Sequence, residues 1–183
     1  MKMTKLVSVL LVLAALSAEQ GAALLATGHN GEVPVISGVL STLSANSSLG
    51  TFTIALRLSG MAKTLAAGGP WTVFALSDHA FANLPQGDLR ALTARPDAMH
   101  LLIGHYVVRG TVGREEAASR PDVRTLLGTR LAIDVRAPTI YVNGAQWGDQ
   151  GIQCADGVIY VLDRADLQFV HQALNLARTE REF

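Results

Sequence analysis

The chain has 183 residues, of which 49% are hydrophobic, and its 15 basic residues balance its 15 acidic ones. This length and apolar content suit one domain with its own packed core plus a short targeting segment. A near-neutral chain without a basic stripe argues against nucleic acid as a partner. Cys154 is the only cysteine, so an internal disulfide is excluded, and its small and apolar neighbours predict a buried thiol rather than a reactive one.

The N-terminus has the layout of a secretory signal peptide. Lys2 and Lys5 precede an apolar run from Leu6 to Leu16, and small residues follow it. This run is shorter than the about 20 apolar residues of a membrane-spanning anchor, which is the alternative. We therefore expect residues 1–18 to be removed, leaving a secreted or periplasmic protein without a stable membrane span. Residues 19–32 are rich in Ala and Gly and are predicted to form a flexible leader.

The first half of the chain is predicted to be mainly helical. Apolar residues recur at helical spacing from Phe52 to Leu65, which predicts one helix that ends before a Gly-Gly-Pro sequence. Two further helices fit residues 88–94 and 96–103, because Pro96 cannot continue the first of them but suits the first turn of the second. Between these helical regions, the apolar and aromatic run Trp71–Leu76 predicts a buried strand.

The second half is predicted to be a sheet. Leu131, Ile133 and Val135 alternate with polar or small residues, which indicates a strand with one buried face. The run Thr139 to Val142 is followed by Asn143-Gly144, the strongest short hairpin signal. After a second turn at Asp156-Gly157, the run Val158 to Leu162 is apolar on both faces and is expected in the core. Helices followed by strands predict an α+β fold with a mostly antiparallel sheet.

An apolar stripe near the C-terminus predicts a last helix. Leu167, Val170, Leu174 and Ala177 recur at helical spacing, and we expect this stripe to pack on its own domain rather than on a partner. Residues 169–183 are accordingly interpreted as a C-terminal helical tail.

Three segments, in this order, resemble the fasciclin domain family. They are TVFALSDHAFANLP from Thr72, LLIGHYVVRGTV from Leu101 and DGVIYVLDR from Asp156. The resemblance covers residues 33–168 and implies a wedge of two small, roughly orthogonal β-sheets flanked by several helices. It implies that Asp78 accepts hydrogen bonds at a helix N-terminus. The residues that carry the structural signature are Thr72, Val73, Phe74, Asp78, Phe81, Gly157, Val158, Ile159 and Asp163.

Two departures from the family pattern bear on binding. In animal members, integrin adhesion is tied to a Tyr-His pair and to an Asp-Ile pair before the last signature. Here the first pair is reversed to His105-Tyr106, while Gly151-Ile152 lacks the acidic residue, and Asp149 lies two positions earlier. The resemblance thus implies that integrin-type binding loses its metal-completing carboxylate. We expect His105, Tyr106, Asp149 and Ile152 to form a possible interaction surface. The alternative is that the two ring side chains satisfy buried backbone groups.

Catalytic and metal-binding patterns are weak. Ser77-Asp78-His79 contains the side chains of a hydrolase triad, but adjacent residues do not have the geometry of a triad. The histidines (His29, His79, His100, His105 and His171) lack the spacing of zinc ligands. The sequence therefore predicts no catalytic residues, no metal site and no cofactor, with His79 simply solvated.

These observations predict an exported, non-enzymatic adhesion or binding module that acts at the cell surface, envelope or matrix. Its partner would be a cell-surface protein, a matrix component or an envelope polymer. One alternative is a periplasmic carrier that holds an apolar small molecule between the helices and the sheets. Another is a hydrolase of an envelope polymer that uses two carboxylates; the available carboxylates, each with a turn or cap explanation, are Asp78, Asp149, Asp156 and Asp163.

Overall fold

The computed structural model describes residues 37–148 and 150–179. The signal peptide and leader predicted over residues 1–32 lie outside these ranges, as do Asp149 and residues 180–183. The first half contains α1 (Val39–Ala45), α2 (Gly50–Leu58), α3 (Met61–Ala66), β1 (Trp71–Leu76), α4 (Asp78–Ala82), α5 (Gln86–Thr93) and α6 (Pro96–His105). The second half contains β2 (Val107–Arg109), α7 (Arg114–Ala118), β3 (Asp122–Arg124), β4 (Arg130–Arg136), β5 (Thr139–Val142), β6 (Ala145–Gln146), β7 (Ile152–Cys154), β8 (Gly157–Leu162) and α8 (Leu167–Thr179).

The strands form two four-stranded sheets, with orders β2-β1-β8-β7 and β3-β4-β5-β6. In the first sheet, β1 and β8 are central and run parallel, with Trp71 opposite Gly157 and Leu76 opposite Leu162. The other strand pairs are antiparallel. This architecture confirms the predicted α+β class with two small sheets and several helices. It also makes two of the three family-like segments direct neighbours, since one forms β1 and another forms β8.

The core lies around these two central strands. All six residues of β1 are buried, because both faces of the strand are covered. Helix α2 contributes Phe52 and Leu56, and α6 contributes Leu102 and Ile103, each no more than 1% exposed. Among the described residues, no helix combines the length and the apolar character that crossing a bilayer requires.

Two local predictions from periodicity are wrong. The helix expected from Phe52 to Leu65 is divided into α2 and α3, because Gly60 adopts a φ of 73° that ends helical geometry between them. Val135 was expected on the buried face of β4, yet it is 48% exposed. Leu131 and Ile133 on the same strand are buried as expected.

The C-terminal helix α8 packs against α6 and α5. Val170, Leu174 and Ala177 are buried as predicted, whereas Leu167 at the start of the stripe is 44% exposed. The guanidinium of Arg95 donates a 3.2 Å hydrogen bond to the Leu174 carbonyl oxygen, which adds a polar contact to this packing. The stripe therefore covers its own domain, and α8 belongs to the same packed body as the sheets.

Candidate functional site

A partly buried polar cluster lies where α6, the β5–β6 turn and the start of α8 meet. We call it the polar cluster and define it by His105, Tyr106, Thr129, Asn143 and Asp166. His105 ends α6 and Tyr106 is its C-cap. Asn143 occupies the turn after β5, and Asp166 immediately precedes α8. The cluster thus joins residues next to both sheets with the last helix.

His105 is held as a neutral imidazole. His105 is only 2% exposed, and its ring stacks on Phe169 with 3.6 Å between the ring centroids. Nε2 lies 3.1 Å from the amide nitrogen of Asn143, which can only donate, so Nε2 accepts and Nδ1 carries the proton. Nδ1 then donates to Thr129 Oγ1 at 2.7 Å. Burial lowers the pKa of His105 to about 4, although the nearby Asp166 carboxylate opposes this shift.

Asn143 has a second role besides forming the turn. Its φ of 48°, followed by 78° at Gly144, gives the left-handed pair that a two-residue hairpin requires. Oδ1 accepts the backbone N–H of Ala132 at 2.7 Å, which fixes the orientation of the amide. Nδ2 donates to His105 and, at 2.9 Å, to Asp166 Oδ2. The predicted hairpin is confirmed, and its asparagine also binds the turn to α6 and α8.

Tyr106 is structural as well. It is 1% exposed, and its hydroxyl oxygen accepts the backbone N–H of Asp166 at 2.8 Å. Burial raises the pKa of the Tyr106 hydroxyl. Asp166 Oδ1 in turn accepts the N–H groups of Gln168 and Phe169 in the first turn of α8. The expectation that His105 and Tyr106 form a surface is therefore corrected, because both side chains are enclosed and serve internal hydrogen bonds.

The residues expected to share that surface are not brought together. Ile152 is half-buried on β7, an edge strand of the first sheet, whereas Tyr106 immediately precedes β2 at the opposite edge. Two strands separate these edges, and three interstrand spacings of about 4.8 Å amount to about 14 Å. Asp149 lies outside the described residues. A partner that contacts both regions would have to span this sheet.

A shallow groove of about 250 Å³ gives solvent access to the polar cluster. Its exposed members include Arg130, Gln168 and Gln172. Arg130 also forms an ion pair with Asp122 at 3.0 Å. Any contact between a partner and the cluster therefore goes through these exposed polar side chains rather than through the ring of Tyr106.

Asp78 caps a helix, but a different helix from the one predicted. The N-cap of α4 is Ser77, whose Oγ accepts the Ala80 N–H at 3.1 Å. Asp78 Oδ1 instead accepts the N–H of Thr51 in the first turn of α2 at 2.7 Å. Hydrogen bonds from Thr51 lower the pKa of the Asp78 carboxyl group. The carboxylate therefore links α4 to α2, which no local reading of the signature could reveal.

Two other carboxylates considered for catalysis also hold backbone groups. Asp156 Oδ1 accepts the N–H of Val39 at the start of α1 at 2.6 Å. Asp163 Oδ1 accepts the N–H of Gln146 in β6 at 2.8 Å. Asp156 therefore caps a helix, as the sequence suggested, whereas Asp163 holds a strand instead of filling a turn or cap role.

The remaining signature residues support the β1–β8 pair. Thr72 Oγ1 donates to the Gly110 carbonyl at 2.7 Å and accepts the Val112 N–H at 2.8 Å. A Cβ atom at Gly157 would lie 2.0 Å from the Trp71 carbonyl oxygen, so only glycine fits there. The other buried members are Val73, Phe74, Phe81, Val158 and Ile159.

The other described histidines are dispersed, and His29 lies outside the described residues. His79 is exposed as predicted, with Nδ1 3.1 Å from the Asn83 amide. His100 is half-buried against the Ser59 carbonyl, and His171 lies 3.0 Å from an Asp88 oxygen. Among residues 37–148 and 150–179, no three His, Cys, Asp or Glu side chains converge as metal ligands would. Cys154 is half-buried rather than fully buried, and burial raises the pKa of its thiol.

The fasciclin domain family model matches residues 47–165, more than half of the chain. The chain is 28% identical over 131 residues to protein sll1483 of Synechocystis sp., covering 70% of this chain and 72% of that protein. It is 26% identical over 143 residues to transforming growth factor-beta-induced protein ig-h3 of Sus scrofa, covering 73% of this chain and only 21% of that protein. The fold resembles a FAS1 domain pair from fasciclin I, an insect cell adhesion molecule, with a TM-score of 0.63. That match has 12% identity and covers 70% of this chain and 50% of the other.

Proposed function

Because the chain belongs to the fasciclin domain family, we propose that it is an exported, non-enzymatic adhesion or binding module. Its partner is a cell-surface protein, a matrix component or an envelope polymer. The signal-peptide pattern at the N-terminus supports export, with periplasmic or extracellular localisation. The presence of a similarly folded domain pair in an insect cell adhesion molecule supports the adhesive role.

One observation carries the non-enzymatic part of the proposal. Each of Asp78, Asp156 and Asp163 uses an oxygen to accept a backbone N–H from a residue 27, 117 or 17 positions away. A general acid or base needs to reach a proton on the substrate, whereas these oxygens are engaged in holding separate elements together. Three of the four carboxylates considered for hydrolysis therefore have structural roles in this fold, which supports the non-enzymatic proposal.

The proposal is tested with the mature protein purified from the exported fraction. We expect it to bind at least one envelope or matrix fraction immobilised on a sensor, above the level of a secreted protein of another fold. Binding to none of the fractions would contradict the adhesive role. Release of reducing ends from an envelope polymer during the same incubation would contradict the non-enzymatic role.

A small-molecule carrier is a second candidate because of a mainly apolar groove of about 320 Å³ between α4 and the β8–α8 loop. Ala80, Leu84 and Leu167 line it together with polar residues of both segments. Leu167 is 44% exposed there and would be covered by a bound apolar group. Native mass spectrometry of the protein from its own host tests this function, since a carrier retains a co-purifying mass and a pure adhesion module does not.

A further inference from the structure

A polar groove of about 520 Å³ runs along the junction of α5 and α8, away from the polar cluster. We call it the α5–α8 groove. Its lining residues are Gly87, Asp88, Ala91, Arg95, His171, Leu174, Asn175 and Arg178. Most of the lining is polar, which distinguishes it from the mainly apolar groove beside α4.

The shape of the groove fits a short extended chain. His171, Asn175 and Arg178 follow one another at helical spacing and so share one face of α8, over a length of about 10 Å. On the α5 side the groove is lined by the small residues Gly87 and Ala91, so no long side chain fills it there. A Cβ atom at Gly87 would meet nothing within 4 Å. At about 3.3 Å per residue, a length of about 10 Å accommodates roughly three residues of an extended peptide.

Charge in the groove is predominantly positive. Asp88, the one carboxylate among the described lining residues, already contacts His171 at 3.0 Å. Arg95 is half-buried, and its 3.2 Å hydrogen bond to the Leu174 carbonyl fixes the guanidinium while leaving other N–H groups to donate. Arg178 is exposed and forms no ion pair with another residue of the described ranges. Two guanidinium groups thus face one groove, and among the described residues that line it the one acidic group is already engaged.

We propose that the α5–α8 groove binds an acidic peptide segment of a protein partner, with a carboxylate held by Arg95 and Arg178. The planar guanidinium donates two parallel hydrogen bonds to a carboxylate, which gives geometric selection as well as charge. The amide of Asn175 supplies a donor and an acceptor of the kind that a peptide backbone pairs with. This inference rests on the proposed binding function and specifies the chemical class of the partner.

The test uses ¹⁵N-labelled full-length mature protein titrated with a glutamate decamer, and in parallel with a glutamine decamer. The glutamate peptide is expected to shift the amide signals of Gly87, Ala91 and Asn175, and the shifts should weaken with added salt because exposed charges are screened. The glutamine peptide is expected to leave these signals unchanged. Equal shifts with both peptides, or shifts confined to other parts of the protein, would overturn the proposal.

Substitution localises the effect. Arg178→Gln is expected to weaken binding of the glutamate decamer by up to about fivefold, the upper limit for one exposed ion pair. Arg90→Gln is the matched control, because Arg90 is an exposed arginine of α5 that does not line the groove, and it should leave the affinity unchanged. Equal losses in both variants would indicate general charge attraction and overturn the proposal.

Binding of polygalacturonate at the groove without binding of the glutamate decamer would also overturn the proposal, because the ligand would then be an acidic sugar polymer rather than a peptide.

The same variants separate this inference from the proposed function. If Arg178→Gln binds an envelope or matrix fraction as tightly as the wild-type protein does, the groove is not the contact surface and the adhesive role stands. If neither protein binds any fraction, the adhesive role fails. If the glutamate decamer still shifts the amide signals of the groove residues in that case, the groove is a peptide-binding site that does not serve the proposed adhesion.

Discussion

The amide nitrogen of Asn143 donates to Nε2 of His105 across 3.1 Å, and this contact ties the β5–β6 turn to the end of α6. The same amide donates to Asp166, which caps α8. One side chain therefore connects a hairpin of the second sheet to a helix that leads into the first sheet and to the last helix. Such a network is costly to disturb at His105 and Tyr106, because both are buried and a buried polar group that loses its partner is left unsatisfied.

Acid should destabilise the protein through His105. Burial lowers the pKa of His105 from 6.5 to about 4. Between pH 6.5 and pH 4, His105 is therefore protonated in the unfolded chain but neutral in the folded protein. Stability contributed by the neutral ring is therefore complete above about pH 6.5 and falls as pH decreases toward 4, by about 3 kcal/mol at the lower limit. Urea unfolding at pH 7.0, 5.5 and 4.0 measures this loss.

The control for this prediction is another histidine of the same chain. His105→Gln is expected to be less stable at pH 7 and to show a flatter dependence on pH than the wild-type protein. His79→Gln alters an exposed ring and should keep the wild-type dependence. If His105→Gln and wild type lose stability in parallel as the pH falls, other groups cause the loss.

Replacing Asn143 should separate its role in the network from its role in the turn. Asn143→Gly keeps a residue that accepts positive φ but removes the hydrogen bonds to His105, Asp166 and Ala132. We expect a loss of about 2 kcal/mol in the free energy of unfolding. Gly144→Ala, in contrast, strains the backbone at a φ of 78° and meets open space, so it should cost only about 1 kcal/mol. A smaller loss for Asn143→Gly than for Gly144→Ala would mean that the network contributes little.

Sequence reasoning identified Asn143 as a turn residue because a hairpin signal is local. It could not identify the bonds to His105 and Asp166, which lie 38 and 23 positions away. The same limit explains Asp78, where the pattern indicated a helix cap but the receiving helix was α2 rather than α4. The chemistry of a side chain determines whether it can accept a hydrogen bond, whereas the tertiary fold determines which donor lies close enough to form it.

The strands were predicted better than the helix ends. Both central strands were recognisable because runs that are buried on two faces are apolar throughout. The break at Gly60 was missed, since apolar spacing continues across it while a single glycine changes the backbone direction. Helix α7 and strand β3 were also missed, because each has few buried residues and gives almost no periodic signal. The α5–α8 groove depends on a pairing of distant helices and has no signature in the sequence.

Gly157 should not tolerate a side chain. A Cβ atom there would lie 2.0 Å from the Trp71 carbonyl oxygen, which belongs to the adjacent parallel strand. Gly157→Ala must therefore separate β1 from β8, and we expect a loss of about 3 kcal/mol or more, measured by thermal unfolding. Gly87→Ala is the comparison, because its Cβ meets nothing within 4 Å and alanine favours the helix by up to about 1 kcal/mol. Equal stability of the two variants would be incompatible with the close approach of β1 and β8.

Asp78 should stabilise α2 from outside that helix. Asp78→Ala removes the acceptor of the Thr51 N–H and is expected to cost about 1–2 kcal/mol, the usual effect of losing a cap. Because hydrogen bonds from Thr51 lower the pKa of Asp78, this stability is present above the ordinary carboxyl pKa and is lost as pH falls through the lowered value. Asp134→Ala serves as the matched control. Among the described residues, the ion pair of that carboxylate is with exposed Arg136 on β4, so its loss should change stability little. If the two alanine variants unfold at the same urea concentration, the link between α4 and α2 carries no stability, and the first family segment must act through its buried apolar residues and the hydrogen bonds of Thr72 and Ser77.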